Sequence, residues 1–155
     1  MKKIKTLFAM MVISCGAFMA TSADAQDFGD MKSYTLVGKA WAAAAAGNHE
    51  HVLAYTNKCI DMYLKQAKEQ QAGLTEVPKG AKEEVFKFWA LNDVGVSLFI
   101  KGNSLVKNGD NEGAIAAYKI LVEELKFAQC WDTKGWFWQP AGAAKSKMIG
   151  LSSGF

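Results

Sequence analysis

The chain of 155 residues has no arginine, only two prolines, two histidines and three cysteines. Nucleic-acid and phosphate sites often use the bidentate arginine guanidinium, so a near-neutral chain without arginine is a poor candidate for nucleic-acid binding. Half of the residues are hydrophobic, which is enough for one buried core and argues against disorder. The β-branched residues do not gather in alternating runs, whereas Ala, Leu, Lys and Glu are common, and both facts favour helix.

Residues 1–25 have the layout of a secretory signal, with a basic start, a short apolar run and an Ala-Asp-Ala sequence that ends at Ala25. We predict cleavage after Ala25, which leaves residues 26–155 as one helical domain in the periplasm or outside the cell. A lipobox-like sequence ending at Cys15 is the alternative, and would give a lipid-anchored protein. The apolar run is short for a permanent anchor and no other long one follows, so no membrane span is expected.

The predicted mature chain keeps 15 lysines against 14 acidic residues and two cysteines, Cys59 and Cys130. An even number of cysteines in an oxidising compartment suggests one disulfide, which would close a loop of about 70 residues. Two buried free thiols are the alternative. Two cysteines are too few for a zinc site. His49 and His51 diverge at a helix start and are expected to be solvated, so neither a metal nor a cofactor is predicted.

Glycine and Asn/Asp breaks divide the mature chain into five predicted helices. They cover residues 31–46, 49–72, 80–107, 111–128 and 140–150. Gly47 and Gly109 permit tight turns, and the Asn48 and Asp110 that follow them are typical helix N-caps. Apolar residues at three- and four-residue steps on the second and fourth helices predict core-facing stripes. The sequence therefore predicts an all-α fold.

The two halves of the chain match each other at an offset of 62 residues, which pairs Ala40 with Gly102 and Gly47 with Gly109. This pattern resembles the tetratricopeptide repeat (TPR). The second copy places Gly102, Leu105, Gly109, Asp110, Ala114, Ile115 and Tyr118 at the family's spacing, and the first has Ala40, Ala43, Gly47, Val52 and Leu53. The resemblance implies two antiparallel helical hairpins that form a groove for a peptide or a protein surface.

The segment QCWDTKGWFWQPA, residues 129–141, holds three of the five tryptophans. It resembles a segment of a group of small exported bacterial TPR-like proteins, some of which carry a glucanase label. No catalytic residue is carried over with that label. We expect the segment to cover the open face of the last hairpin as a cap. The alternative is that Trp131, Trp136 and Trp138 stack on sugar rings.

A groove between the first helices of the two hairpins would be lined by Tyr34, Trp41, Trp89, Asn92 and Phe99. Asn92 and Asp93 form the one polar interruption in an apolar stretch, and a structural hydrogen-bonding role is expected for them rather than a groove-lining one. No pair of carboxylates is placed for glycoside hydrolysis, and neither a phosphate loop nor an activated nucleophile is present in the sequence.

These patterns predict an exported, non-catalytic TPR-like module of the bacterial envelope that binds a protein or peptide partner. The alternative function, from another class, is a glycan-binding or glucanase-like protein that uses the C-terminal tryptophans. The resemblance to TPR proteins is the main support for the first function, and the density of Trp in residues 129–141 is the main support for the second.

Overall fold

The computed structural model describes residues 26–153, and its fold is all-α, as the sequence predicts. The elements are α1 (Ser33–Ala45), α2 (His49–Ala72), α3 (Lys82–Phe86), α4 (Trp89–Lys107), α5 (Asn111–Glu124), β1 (Cys130–Trp131), β2 (Phe137–Trp138) and α6 (Pro140–Ser152). The predicted signal segment, with Cys15, lies outside the described residues. Across residues 26–153, every helix is too short or too polar to cross a bilayer.

Two helical hairpins form the body of the fold, as the sequence predicts. Helices α1 and α2 make the first hairpin, and α4 and α5 make the second. Helix α4 is central because it packs against α1, α2, α5 and α6. Its residues from Val94 to Ile100 are all buried, and these supply much of the hydrophobic core. Helix α6 covers α5 and the adjoining side of α4.

The two hairpin turns follow the chemistry expected from their sequences. Gly47 and Gly109 have φ of 71° and 84°, in the left-handed region that favours glycine. The Asn48 side chain accepts a hydrogen bond from the His51 amide at 3.1 Å. The Asp110 side chain accepts one from the Gly113 amide at 2.8 Å. Each cap satisfies an amide that has no partner inside the helix.

A close approach of α4 to α5 depends on Gly102. The Tyr118 ring is fully buried and lies where a side chain at position 102 would be, so a Cβ there would overlap the ring. The Tyr118 hydroxyl donates a hydrogen bond to Asn103 Oδ1 at 2.8 Å. Gly102 and Tyr118, which stand 16 positions apart in the second repeat-like unit, are therefore in contact in the second hairpin.

The prediction of one continuous helix over residues 80–107 is wrong, because a turn at Lys87 and Phe88 interrupts the helix. The Val85 carbonyl accepts a hydrogen bond from the Phe88 amide at 3.2 Å and another from the Asn92 side chain at 3.0 Å. These replace the hydrogen bond from the amide four residues on, which would continue the helix. The side-chain oxygen of Gln70 on α2 accepts a hydrogen bond from the Leu91 amide at 2.9 Å. Side chains from elsewhere therefore satisfy the groups that the break exposes.

The fourth predicted helix also ends early, at Glu124 rather than at residue 128. Past that point the Phe127 amide donates to the Gln71 side chain of α2 at 2.9 Å. The Trp-rich segment then forms an antiparallel ribbon, in which Cys130 pairs with Trp138. Gly135, with φ of 104°, makes its turn. The fifth helix begins at Pro140, as predicted, and ends at Ser152.

Replacing Gly102 by alanine tests the close approach of α4 and α5. We expect Gly102→Ala to lower the free energy of unfolding by about 1–3 kcal/mol, because overpacking against Tyr118 outweighs the helical preference of alanine. Gly38 lies mid-helix in α1 with open space around it, so Gly38→Ala is the matched control and should raise stability by up to about 1 kcal/mol. Denaturant unfolding measures both, and equal effects of the two variants would contradict the packing interpretation.

Candidate functional site

Two pockets lie along the line where α1 packs against α4, and we call this line the α1–α4 groove. The pocket at one end has a volume of about 610 Å3, and we call it the aromatic pocket. Its lining includes five aromatic side chains: Tyr34, Tyr63, Phe86, Trp89 and Trp131. The polar or charged side chains of Lys32, Ser33, Asn92, Asp93 and Gln129 also line it. The pocket therefore combines a mainly aromatic wall with a small group of hydrogen-bonding side chains.

The break between α3 and α4 brings two of these rings to the pocket. Phe86 ends α3 and Trp89 begins α4, so both stand at the bend. The Trp89 ring lies edge-on to Tyr63 of α2, with 5.5 Å between centroids. Phe86 meets Phe137 of the ribbon in the same way at 5.7 Å, and Phe137 in turn packs against Trp131 at 4.8 Å. Edge-to-face contacts of this kind hold aromatic walls in a defined arrangement.

Asp93 is the acidic side chain of the pocket lining. Its Oδ2 accepts a hydrogen bond of 2.5 Å from the hydroxyl of Ser33, the first residue of α1. Burial raises the pKa of the Asp93 carboxyl to about 6, and the Ser33 hydrogen bond opposes that shift. A carboxylate in this setting carries a charge that the surrounding apolar side chains solvate poorly.

The charge of Asp93 acts on both cysteines of the described residues, which are unbonded in this structure. Cys59 of α2 is buried, while Cys130 of β1 lines the pocket. Burial raises the pKa of the Cys59 thiol to about 12 and that of Cys130 to about 11. The negative charge of Asp93 adds to both shifts. At neutral pH the thiolate, which is the reactive form, is therefore scarce at both positions.

Asn92 has the structural role expected for it, and it lines the pocket as well. Its side-chain nitrogen donates a hydrogen bond to the Val85 carbonyl at 3.0 Å, and its Oδ1 accepts one from the Gln129 backbone amide at 2.8 Å. The Gln129 side chain donates to the Pro78 carbonyl at 2.8 Å. Asn92 thus joins the end of α3, the start of α4 and the chain leading into β1.

The five predicted groove residues do not all meet in one place. Tyr34, Trp89 and Asn92 line the aromatic pocket. Trp41 lines a second pocket of about 410 Å3, at the other end of the α1–α4 groove. Phe99 is a core residue, only 9% exposed, and its ring packs edge-on against Trp138 at 5.2 Å.

The three predicted sugar-stacking tryptophans are also separated. Trp131 lines the aromatic pocket, where the Lys82 ammonium lies 4.0 Å from the centroid of its ring. Trp138 packs against Phe99, as a cap residue would. Trp136 is 49% exposed at the ribbon turn, outside the pocket lining. They do not form one continuous stacking surface.

The second pocket, unlike the first, contains a histidine. His49 Nδ1 and Ser104 Oγ are 2.8 Å apart, which connects the start of α2 to α4. His49 is half-buried, so the expectation that it is a solvated first-turn residue is wrong, whereas His51 is exposed. The spacing of the histidines could not reveal this contact, because Ser104 lies 55 residues away.

Sequence reasoning did not assign Asp93 and Tyr63 to the pocket. Asp93 was visible as a polar residue in an apolar stretch, and that is the signal that could have identified it. Tyr63 belongs to the apolar stripe of α2, where a pocket-lining ring has the same sequence pattern as a core ring. Only its neighbour Trp89, which arrives from α4, makes it part of a site.

The chain matches no family model, no curated protein and no solved structure. Within the part of the chain that the structure describes, His, Cys, Asp and Glu form no group of three or more that could hold a metal ion. The features that bear on function are therefore the shape, rings and charge of the aromatic pocket.

The buried carboxyl predicts a specific pH dependence of stability. The folded state holds the Asp93 proton up to about pH 6, whereas the ordinary pKa is 3.8. The stability linked to that proton is present below about pH 4 and is lost as the pH rises through 6. As the pH rises from 4 to 7.5, the free energy of unfolding of Asp93→Asn should therefore increase relative to that of the parent by up to about 3 kcal/mol.

Urea unfolding at several pH values measures this difference. Asp61→Asn is the matched control, because it makes the same change at a carboxyl that is exposed on α2. If the curve for Asp93→Asn stays parallel to that of the parent, Asp93 does not titrate as a buried group.

The Cys59–Cys130 disulfide remains a prediction for the protein in an oxidising compartment. We expect the exported protein to take up no alkylating agent when it is unfolded without reductant, and two equivalents after reduction. Unfolding is needed because the raised pKa of both thiols would slow their labelling in the folded state. Intact mass spectrometry counts the labels, and two labels without reductant would disprove the bond.

Proposed function

We propose that this protein is an exported, non-catalytic binding module of the bacterial envelope, whose α1–α4 groove holds an extended segment of a protein partner. The observation that carries the proposal is the aromatic pocket at one end of that groove. The resemblance to the tetratricopeptide repeat points to the same use of the groove.

The dimensions and lining of the pocket suit a binding site. Its volume of about 610 Å3 lies within the range of pockets that hold ligands or side chains. Tyr34 is 61% exposed and Trp89 is 39% exposed, so two aromatic rings at the pocket remain in contact with solvent. Tyr and Trp are the residue types that contribute most to binding energy at protein interfaces.

The second pocket favours an extended occupant over a compact one. Residues near the start of α1 and of α4 line the aromatic pocket, while Trp41 and Ser104, further along the same helices, line the second pocket. The two pockets thus lie one after the other along two helices that run in the same direction. An extended segment could place separate side chains in each, which is a common way to recognise peptides.

The local chemistry favours this function over the glycan alternative. Glycoside hydrolysis generally uses two carboxyl groups across the bond, and the lining of the aromatic pocket has one, from Asp93. Of the three candidate stacking rings, Trp131 has the Lys82 ammonium over one face and Trp138 is packed on Phe99. Trp136 is exposed but stands alone, outside the lining of the pocket. Sugar stacking needs an open ring face.

The test is a crosslinking pull-down from bacterial envelope with the mature protein and its variants. Tyr34→Ala and Trp89→Ala remove exposed rings of the pocket, and Trp136→Ala removes an exposed ring outside it. We expect a small, reproducible set of exported proteins with the parent and with Trp136→Ala. Their recovery should fall about tenfold or more with the two pocket variants.

Circular dichroism of each variant separates a lost site from a lost fold. Recovery of the same proteins with all variants would contradict binding through the pocket. Recovery of wall polysaccharide without protein, and its loss with Trp136→Ala, would favour the glycan function.

A further inference from the structure

We infer that the aromatic pocket receives a cationic side chain of the partner, a lysine or an arginine, whose charge is held by Asp93 and whose stem packs against the rings. This inference rests on the proposed function and specifies the chemistry of the partner at that site. It follows from the position of one acidic side chain among five aromatic ones.

The charge balance inside the pocket is incomplete. Asp93 accepts one hydrogen bond, from Ser33, and forms no ion pair with any lysine or histidine of residues 26–153. The thiols of Cys59 on α2 and Cys130 on β1 sense its charge and bring no positive one. Lys32 also lines the pocket, but it is paired with Asp30 at 3.2 Å. A cation entering the pocket would therefore supply the partner that this carboxylate lacks. Attraction across a poorly solvated site is much stronger than at a water-exposed surface.

The aromatic rings of the pocket would add cation–π attraction to the charge of Asp93. Ammonium groups already lie over three aromatic rings of the lining. Lys82 Nζ is 4.0 Å from the centroid of Trp131 and 5.3 Å from that of Phe86, and Lys32 Nζ is 5.8 Å from that of Tyr34. Within residues 26–153 no lysine occupies a face of Tyr63 or Trp89. These two rings are thus available to an incoming cation, which aromatic faces attract.

Lys32 lines the pocket and Lys82 stands over one of its rings, and the two would affect a cationic partner differently. Lys32 is paired with Asp30 at 3.2 Å, so its charge is largely balanced. Lys82 forms no ion pair among the described residues and stands over Trp131. It should repel an entering cation, so removing its charge with Lys82→Gln is expected to strengthen binding.

The experiment is a selection of random extended peptides on the mature protein, followed by titration of the selected peptides. Selection on Trp89→Ala in parallel identifies which sequences depend on the pocket. Each pocket-dependent peptide is then measured against the parent, Asp93→Asn and Asp61→Asn, and against a version of itself with norleucine in place of the cationic residue.

We expect lysine or arginine to be enriched at one position of the pocket-dependent peptides. Asp93→Asn and the norleucine replacement should each weaken binding by at least about tenfold, because each removes one partner of a poorly solvated charge pair. Asp61→Asn should leave the affinity unchanged, and Lys82→Gln should raise it.

Two other results would overturn the inference and are distinguishable from each other. Pocket-dependent peptides with neutral residues at that position, bound equally by Asp93→Asn, would disprove the cation while leaving the proposed binding function intact. Selection that enriches the same peptides on Trp89→Ala and the parent, or enriches none, would contradict the pocket as a binding site altogether.

Discussion

The side-chain amide of Asn92 connects the three segments on which the aromatic pocket depends. It donates to the end of α3 at Val85 and accepts from the chain entering β1 at Gln129. A buried amide left without these partners would cost about 1–3 kcal/mol, so the three segments are held in one arrangement. The same contact takes the carbonyl of Val85 out of the helical pattern, and the resulting bend brings Phe86 and Trp89 into the pocket wall.

Asp93 follows Asn92 on α4 but contacts other parts of the fold, because consecutive helical residues point about 100° apart. While Asn92 contacts α3 and the chain before β1, Asp93 reaches Ser33 at the start of α1. Its burial raises the pKa to about 6, so an ionised Asp93 at neutral pH lowers stability. A group that weakens the fold and lies in a pocket fits a role in binding better than a role in folding.

Local rules predicted much of the fold. The Gly47–Asn48 and Gly109–Asp110 pairs indicated both hairpin turns, and Gly102 indicated the close contact of the second hairpin. The break at Lys87 and Phe88 escaped prediction because neither residue is a glycine or proline. The groups that stabilise it come from Gln70 on α2 and from Asn92 on the next helix. Of the candidate site residues, Tyr34, Trp89, Asn92 and Trp131 meet in one pocket, while the half-buried Trp138 packs against the core residue Phe99.

By itself the sequence determined the helical class and the positions of the turns, because the hydrogen bonds of a helix and the φ of a turn depend on residues a few positions apart. Tertiary structure decided which exposed-looking rings form a site and which complete the core. The Ser33–Asp93 bond spans 60 residues and the Gln71–Phe127 bond spans 56. Such pairs have no local sequence pattern, since they meet only when the two hairpins pack together.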